Sequence, residues 1–205
     1  MLQRKLLAAT VLLVSAAASA CTSSSNNYIG AEAQVRTERI YVCSGFNCHF
    51  KTRLDLGAAD AGRFAQIMAA GVASAQAERA AIANSVRYYE KRAGQAIGVI
   101  DDGKSVFGAS GELGQMDCID ESTNTRSLLL YLERRGLLKH HVVLSNVSRG
   151  FFIDGRYPHS TAVLRDRGGK EWAVDSWYAP MADAPDILPM EQWLRRGVMG
   201  SNAPV

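Results

Sequence analysis

Apolar positions recur along the chain with two periods, and each period predicts a set of elements. Phe64, Ile67, Met68 and Val72 stand three and four apart after Asp60, which reads as a helix with Asp60 as its cap. Ala80, Ile82, Val86 and Tyr89 mark a second helix over Ala75 to Arg92 that ends before Gly94. A third opens at Cys118, with Leu128, Leu129, Leu132 and Leu137 as its apolar stripe, Glu133, Arg134 and Arg135 as its wet face and Gly136 as its stop. Between the helices lie β-prone runs. Glu38 to Cys43 and His49 to Leu56 flank a turn and read as a small hairpin; Ile97 to Ile100 and Ser105 to Phe107 flank the turn signal Asp101-Asp102-Gly103. His141 to Leu144, Ser160 to Leu164 and Glu171 to Tyr178 follow the third helix. The expected fold class is α+β, with the Cys118 helix packed on an antiparallel sheet.

The first residues have a different pattern. Arg4-Lys5, the apolar run Leu6 to Val14 and the small residues Ser15 to Ala20 form a signal peptide over residues 1–20, too short to span a membrane. Ala18-Ser19-Ala20-Cys21 resembles a bacterial lipobox, so Cys21 is the expected lipidation site and 21–35 a flexible tether, polar from Thr22 to Asn27. Thr22 rather than Asp after the cysteine points to the periplasmic face of the outer membrane of a Gram-negative cell. Ala18-x-Ala20 also suits ordinary signal peptidase, which would leave a soluble periplasmic protein. Residues 36–205 then form a single domain. The formal charge of +3 is spread out, with Arg134-Arg135 and Arg195-Arg196 as the basic doublets, and gives no support to nucleic-acid binding.

Four cysteines sharpen the chemistry. Cys21 belongs to the export signal, and Cys43 and Cys48 are spaced to bridge across a Gly-containing turn in an oxidising compartment. Cys118 is left unpaired, either as a buried inert thiol or as a nucleophile. His159 and Asp175 follow it, and a thiol, an imidazole and a carboxylate can form a nucleophile, base and orienter. Segments 159–165 and 170–178, joined by Asp166-Arg167-Gly168-Gly169, should pair as a hairpin. A turn centred on Arg167 would set His159 directly opposite Asp175, with Cβ atoms roughly 4.5–5.5 Å apart. Cys118 in the first turn of a helix should have its pKa lowered by the helix dipole and by an imidazole across the cleft. Its backbone N–H is an oxyanion donor, with Gln115 as the candidate side chain beside it.

Asp117-Cys118-x-Asp120 on a helix, His159 opening a strand and Asp175 on the next strand together resemble the transglutaminase-like cysteine hydrolases, most of all the bacterial transglutaminase-like cysteine proteinases, which are periplasmic. The resemblance covers about residues 112–180. It implies a papain-like α+β core with Cys118 as nucleophile, His159 as base and Asp175 as orienter, requiring no cofactor for the chemistry. It also raises a calcium site at Asp120 and Glu121, whereas the residues alone read Asp120 as a helix-dipole partner. Gln115-Met116 departs from the small, often glycine-containing approach that the family shows before its cysteine.

Other residues read as structural. His140-His141 suit a helix end or surface, His49 beside Cys48 gives a zinc corner less favoured than the disulfide, and Trp172 and Trp193 suit a core. Trp177, adjacent to Asp175, is a candidate substrate contact. Three functions follow: a cell-envelope cysteine hydrolase cleaving a peptide or protein substrate through a thioester acyl-enzyme, a transglutaminase-type acyltransferase delivering the same acyl group to an amine, or a non-catalytic lipid-tethered interaction module.

Overall fold

The computed structural model describes residues 37–99, 107–150 and 158–196. The signal peptide, Cys21, the tether and the Asp101-Asp102-Gly103 turn lie outside the described residues. Among the described residues no helix is long and apolar enough to cross a membrane.

Strands β1 (Glu38–Ser44) and β2 (Phe50–Leu56) form the expected antiparallel hairpin. Ile40 and Val42 alternate inward on β1, while Arg39 and Tyr41 face solvent. Helices α1 (Ala58–Ala69) and α2 (Ala75–Ile97) follow, then a short 3₁₀ turn at Phe107–Ala109 and helix α3 (Cys118–Arg134). The rest of the chain is β3 (His141–Val143), β4 (Val147–Arg149), β5 (His159–Asp166), β6 (Glu171–Asp175), β7 (Asp186–Pro189) and α4 (Met190–Arg195). The second sheet is antiparallel in the order β3-β5-β6-β7, with β4 also paired to β5. The molecule is α+β.

Helix α3 is central. Leu128, Leu129 and Leu132 share one core with Ile40, Val42, Leu54 and Leu56 of the hairpin, Phe64 and Met68 of α1, Ile82 and Val86 of α2, and Ala162, Leu164 and Val174 of the sheet. The alternate residues Val163 and Ala173 face the other way, against Met190 and Trp193 of α4. Both faces of β5 and β6 are therefore covered, and their apolar runs are nearly continuous.

Several boundaries differ from the pattern. Gly57 is the cap of α1, and Asp60 sits three residues on, its carboxylate accepting from the Gly57 N–H at 3.1 Å. Val72 lies beyond α1 and is exposed. Helix α2 runs through buried Gly94 and stops at Gly98, whose φ of +82° takes the left-handed cap conformation. This extension takes in Ile97, read from sequence as the start of an extended piece. Strand β6 ends at Asp175 rather than Tyr178. β4, β7 and α4 are too short to show a period.

The turn between β1 and β2 is bound to the start of α3. Gly45, Phe46, Asn47 and Cys48 all have positive φ, between +52° and +83°, a run that costs roughly 1–2 kcal/mol at each non-glycine position. It turns successive N–H groups to one side. Asp120 accepts from Phe46 N–H at 2.8 Å and Cys48 N–H at 2.6 Å, and Asp117 accepts from Asn47 N–H at 3.1 Å. Asn124 bonds the Cys43 backbone twice, N–H to Oδ1 at 2.7 Å and Nδ2 to C=O at 2.9 Å. Residues 117, 120 and 124 lie on one helix face and hold the turn there. Cys43 and Cys48 are disulfide-bonded, with Cα atoms 4.5 Å apart.

Two outcomes follow from this docking. Replacing Cys43 and Cys48 together by Ser should lower the free energy of urea unfolding by about 2 kcal/mol, the loop entropy of so short a bridge. Burial pushes the Asp120 carboxyl up to about 6, against the lowering effect of the Cys48 N–H. A raised folded-state pKa means that the carboxyl's contribution is complete below the unfolded value near 4 and is lost as pH rises through about 6. The stability difference between wild type and Asp120→Asn should therefore fall by about 3 kcal/mol between those limits; urea titrations across the window would show no slope if the carboxyl keeps its ordinary pKa.

Candidate active site

The β5–β6 hairpin turns one residue later than the sequence spacing predicts. Gly169, at φ +86°, allows Asp166 to pair with Lys170 around a three-residue loop, and the Asp166 carboxylate accepts from Lys170 N–H and Trp172 Nε1, both at 3.0 Å. Ala162 pairs with Val174 and Arg165 with Glu171. In this register Asp175 falls opposite Thr161, and His159 opposite Trp177. His159 and Asp175 are thus diagonal neighbours rather than directly opposed. Displacement by two residues preserves the face, so the side chains still meet. His159 Nε2 lies 2.8 Å from Asp175 Oδ2, with both residues only 2% exposed.

The carboxylate has further donors. Trp193 Nε1 donates to Asp175 Oδ2 at 2.6 Å, and the Trp177 N–H donates to Oδ1 at 3.3 Å. Trp177, Tyr178 and Trp193 surround the imidazole with ring centroids 4.9, 5.2 and 5.6 Å away. With the proton on Nε2 donated to Asp175, Nδ1 carries a lone pair; that atom is buried and has no hydrogen-bond partner among the described residues.

Cys118 is the first residue of α3 and 9% exposed. Its thiol contacts the Pro158 carbonyl at 3.9 Å, one residue before His159. The Ser160 N–H also faces the sulfur. Its direction follows from the sheet: Val163 C=O accepts from Leu144 N–H, so odd-numbered residues of β5 bond toward β3 and β4 and even-numbered ones toward β6. β6 ends opposite Thr161, which leaves the Ser160 N–H beyond its reach. The sulfur and His159 Nδ1 are not hydrogen-bonded to each other.

The expected lowering of the thiol pKa is reversed. Burial pushes Cys118 up to about 11, partly opposed by the Ser160 N–H and reinforced by the charges of Asp117 and Asp175. The helix end that should favour a thiolate is already occupied: Asp117 Oδ1 accepts from Ile119 N–H at 3.0 Å and Asp120 N–H at 2.9 Å. The cap that starts the helix withholds its positive end from the sulfur.

The other candidates separate by contact. Gln115 contributes its carbonyl, which accepts from Gly45 N–H at 2.6 Å, and its side chain makes no hydrogen bond among the described residues. Asp120 is held by the β1–β2 turn, whereas Glu121 accepts from Ser176 Oγ at 2.8 Å, and Ser176 is linked to Thr125. No cluster of three metal-ligating groups that includes Glu121 is present among the described residues. The sulfurs of Cys43 and Cys48 lie within 4.8 Å of an Asp120 oxygen but are bonded to each other, and His49 stands outside that group, with its ring against Phe50. Trp177 is half-buried beside His159. His141 is buried rather than at the surface, its Nδ1 2.7 Å from buried Glu78.

Sequence reading missed the roles of Asp117, Asn124, Trp193 and Arg149. The first two had a visible signal in the helical spacing of 117, 120 and 124. Arg149 had none, because a bulge places it: three residues, Leu144 to Asn146, stand opposite two, Ala162 and Val163. This extra residue brings Arg149, rather than Ser148, opposite His159.

No model of a known protein family, no curated protein and no solved structure matches this chain.

Trp193→Phe keeps a ring of similar shape while removing the donor to Asp175. It should lower stability in urea unfolding by about 2 kcal/mol, the scale of a hydrogen bond to a charged group. An unchanged midpoint would mean that the indole N–H contributes nothing.

Proposed function

We propose that the protein is a cysteine hydrolase of the cell envelope, acting on peptide or amide bonds through Cys118, His159 and Asp175 on a papain-like, transglutaminase-like core. The observation that carries this reading is the buried His159–Asp175 pair, which leaves a lone pair on Nδ1 unpartnered beside the segment that the Cys118 thiol contacts. A carboxylate orienting an imidazole through one nitrogen, with the other free for a proton, is the arrangement a general base requires.

A thiol held at a raised pKa dictates the order of events. As the sulfur attacks the substrate carbonyl, its proton passes to His159 Nδ1, so nucleophile and base act in one step rather than from a preformed ion pair. Asp175 stabilises the resulting imidazolium. The backbone N–H groups of Cys118 and Ser160 are the donors for the developing oxyanion. The imidazolium then protonates the leaving amine, and the Cys118 thioester remains. Water, deprotonated by His159, attacks the thioester and releases the acid and the thiol. An amine in place of water would make the same intermediate serve acyl transfer. Trp177 provides the half-buried wall for the substrate beside the imidazole.

The lipid-tethered interaction module draws on the raised thiol pKa and the absent thiol–imidazole bond, both compatible with an inert cysteine. Acylation separates the readings. The full-length chain in detergent, incubated with p-nitrophenyl acetate, should gain one acetyl group on Cys118 by mass spectrometry and turn over envelope-derived peptide amides. His159→Ala and Asp175→Ala should reduce turnover on the order of 10³-fold, and Cys118→Ser should abolish it. Full turnover by Cys118→Ser would falsify the hydrolase reading.

A further inference from the structure

Arg149 is a buried cation without a carboxylate contact of its own among the described residues. It is 8% exposed; Nη2 donates to the Tyr178 hydroxyl at 3.2 Å, Nη1 donates to the Arg196 carbonyl, and Nε is buried with no acceptor among the described residues. The guanidinium lies over the Trp193 ring, 4.7 Å from its centroid. That indole donates to Asp175, and the Tyr178 ring packs against His159. A guanidinium stays charged even when buried, and leaving it without a nearby anion is costly. Burial lowers the Arg149 pKa, and Tyr178 and then Asp175 oppose that lowering.

We propose that Arg149 is a positioning residue for the His159–Asp175 pair: a fixed cation, set opposite His159 by the bulge and stacked on the indole that donates to Asp175, that supplies the counter-charge for that carboxylate. The proposal rests on the hydrolase reading for its purpose but not for its test. Among the described residues, the groups facing the pair are Arg149 from β4, Cys118 and the more distant Asp117 from α3, Tyr178 after β6, and Arg196 after α4. Arg196 lies 4.0 Å over the Tyr178 ring and is paired with Asp186 at 2.7 Å. Asp175 and Arg149 balance each other. A proton on His159 would add a second cation beside Arg149, an unfavourable crowding at low dielectric. Without Arg149, the buried carboxylate draws its counter-charge from the imidazole. His159 then takes the thiol's proton and leaves a thiolate–imidazolium pair.

The test uses iodoacetamide as probe and the full-length chain in detergent, following alkylation of Cys118 from about pH 5 to pH 10. In wild type the rate should climb with pH without a neutral plateau. Arg149→Met should introduce a plateau, raising the rate at pH 7 by roughly tenfold or more, one pKa unit's worth of thiolate. Arg149→Lys, which keeps the charge, should follow wild type, and adding His159→Ala to Arg149→Met should remove the plateau. Arg149→Gln carries the same expectation as Arg149→Met and keeps a donor for Tyr178, should the apolar variant not fold. Superimposable wild-type and neutral-variant profiles, a wild-type plateau, or a lysine variant behaving like the neutral ones would overturn the proposal. Because alkylation needs no substrate, a protein that fails to hydrolyse peptides yet shows these profiles would sink the hydrolase reading alone.

Discussion

Three consecutive N–H groups in the turn after β1 donate to two carboxylates at the start of α3, and the placement of the thiol depends on that contact. A left-handed run through Phe46, Asn47 and Cys48 is unfavourable by itself. Hydrogen bonds to Asp117 and Asp120, together with the Cys43–Cys48 bridge, offset it. The same carboxylates form the capping box of α3. One pair of acids thereby defines the first residue of the helix, which is Cys118, and attaches the hairpin to it. Asn124 extends the attachment one turn further.

This anchoring has an electrostatic consequence at the site. A helix N-terminus commonly favours a thiolate, but here its N–H groups are bound to Asp117, and the sulfur is buried. The acceptor at the site is instead Asp175, which takes donors from an imidazole, an indole and a backbone amide.

Two strand irregularities set the geometry around His159. The left-handed Gly169 moves the β5–β6 turn by one residue and converts an opposed pair into a diagonal one that the length of an imidazole can bridge. The bulge between β3 and β4 changes which residue faces His159 and brings a guanidinium where Ser148 would otherwise stand. Each is a shift of one position, with a large effect because strand side chains alternate.

The helical stripes of α1 and α3, the Cys43–Cys48 turn and the three β-prone runs after α3 were legible in the sequence, because each is a local pattern: a period, a cap or a turn residue. The same holds for Cys118, His159 and Asp175 as residue types in order along the chain. The geometry with which His159 meets Asp175 was not local, since it depends on a turn register that one glycine decides, and neither was the thiol's raised pKa, which comes from burial and from a cap already in use. Asp120 shows the division most plainly. Its position in the first turn was readable as a partner of the helix end, but its principal contacts are to residues more than seventy positions earlier, and only packing the hairpin on α3 brings those amides within reach.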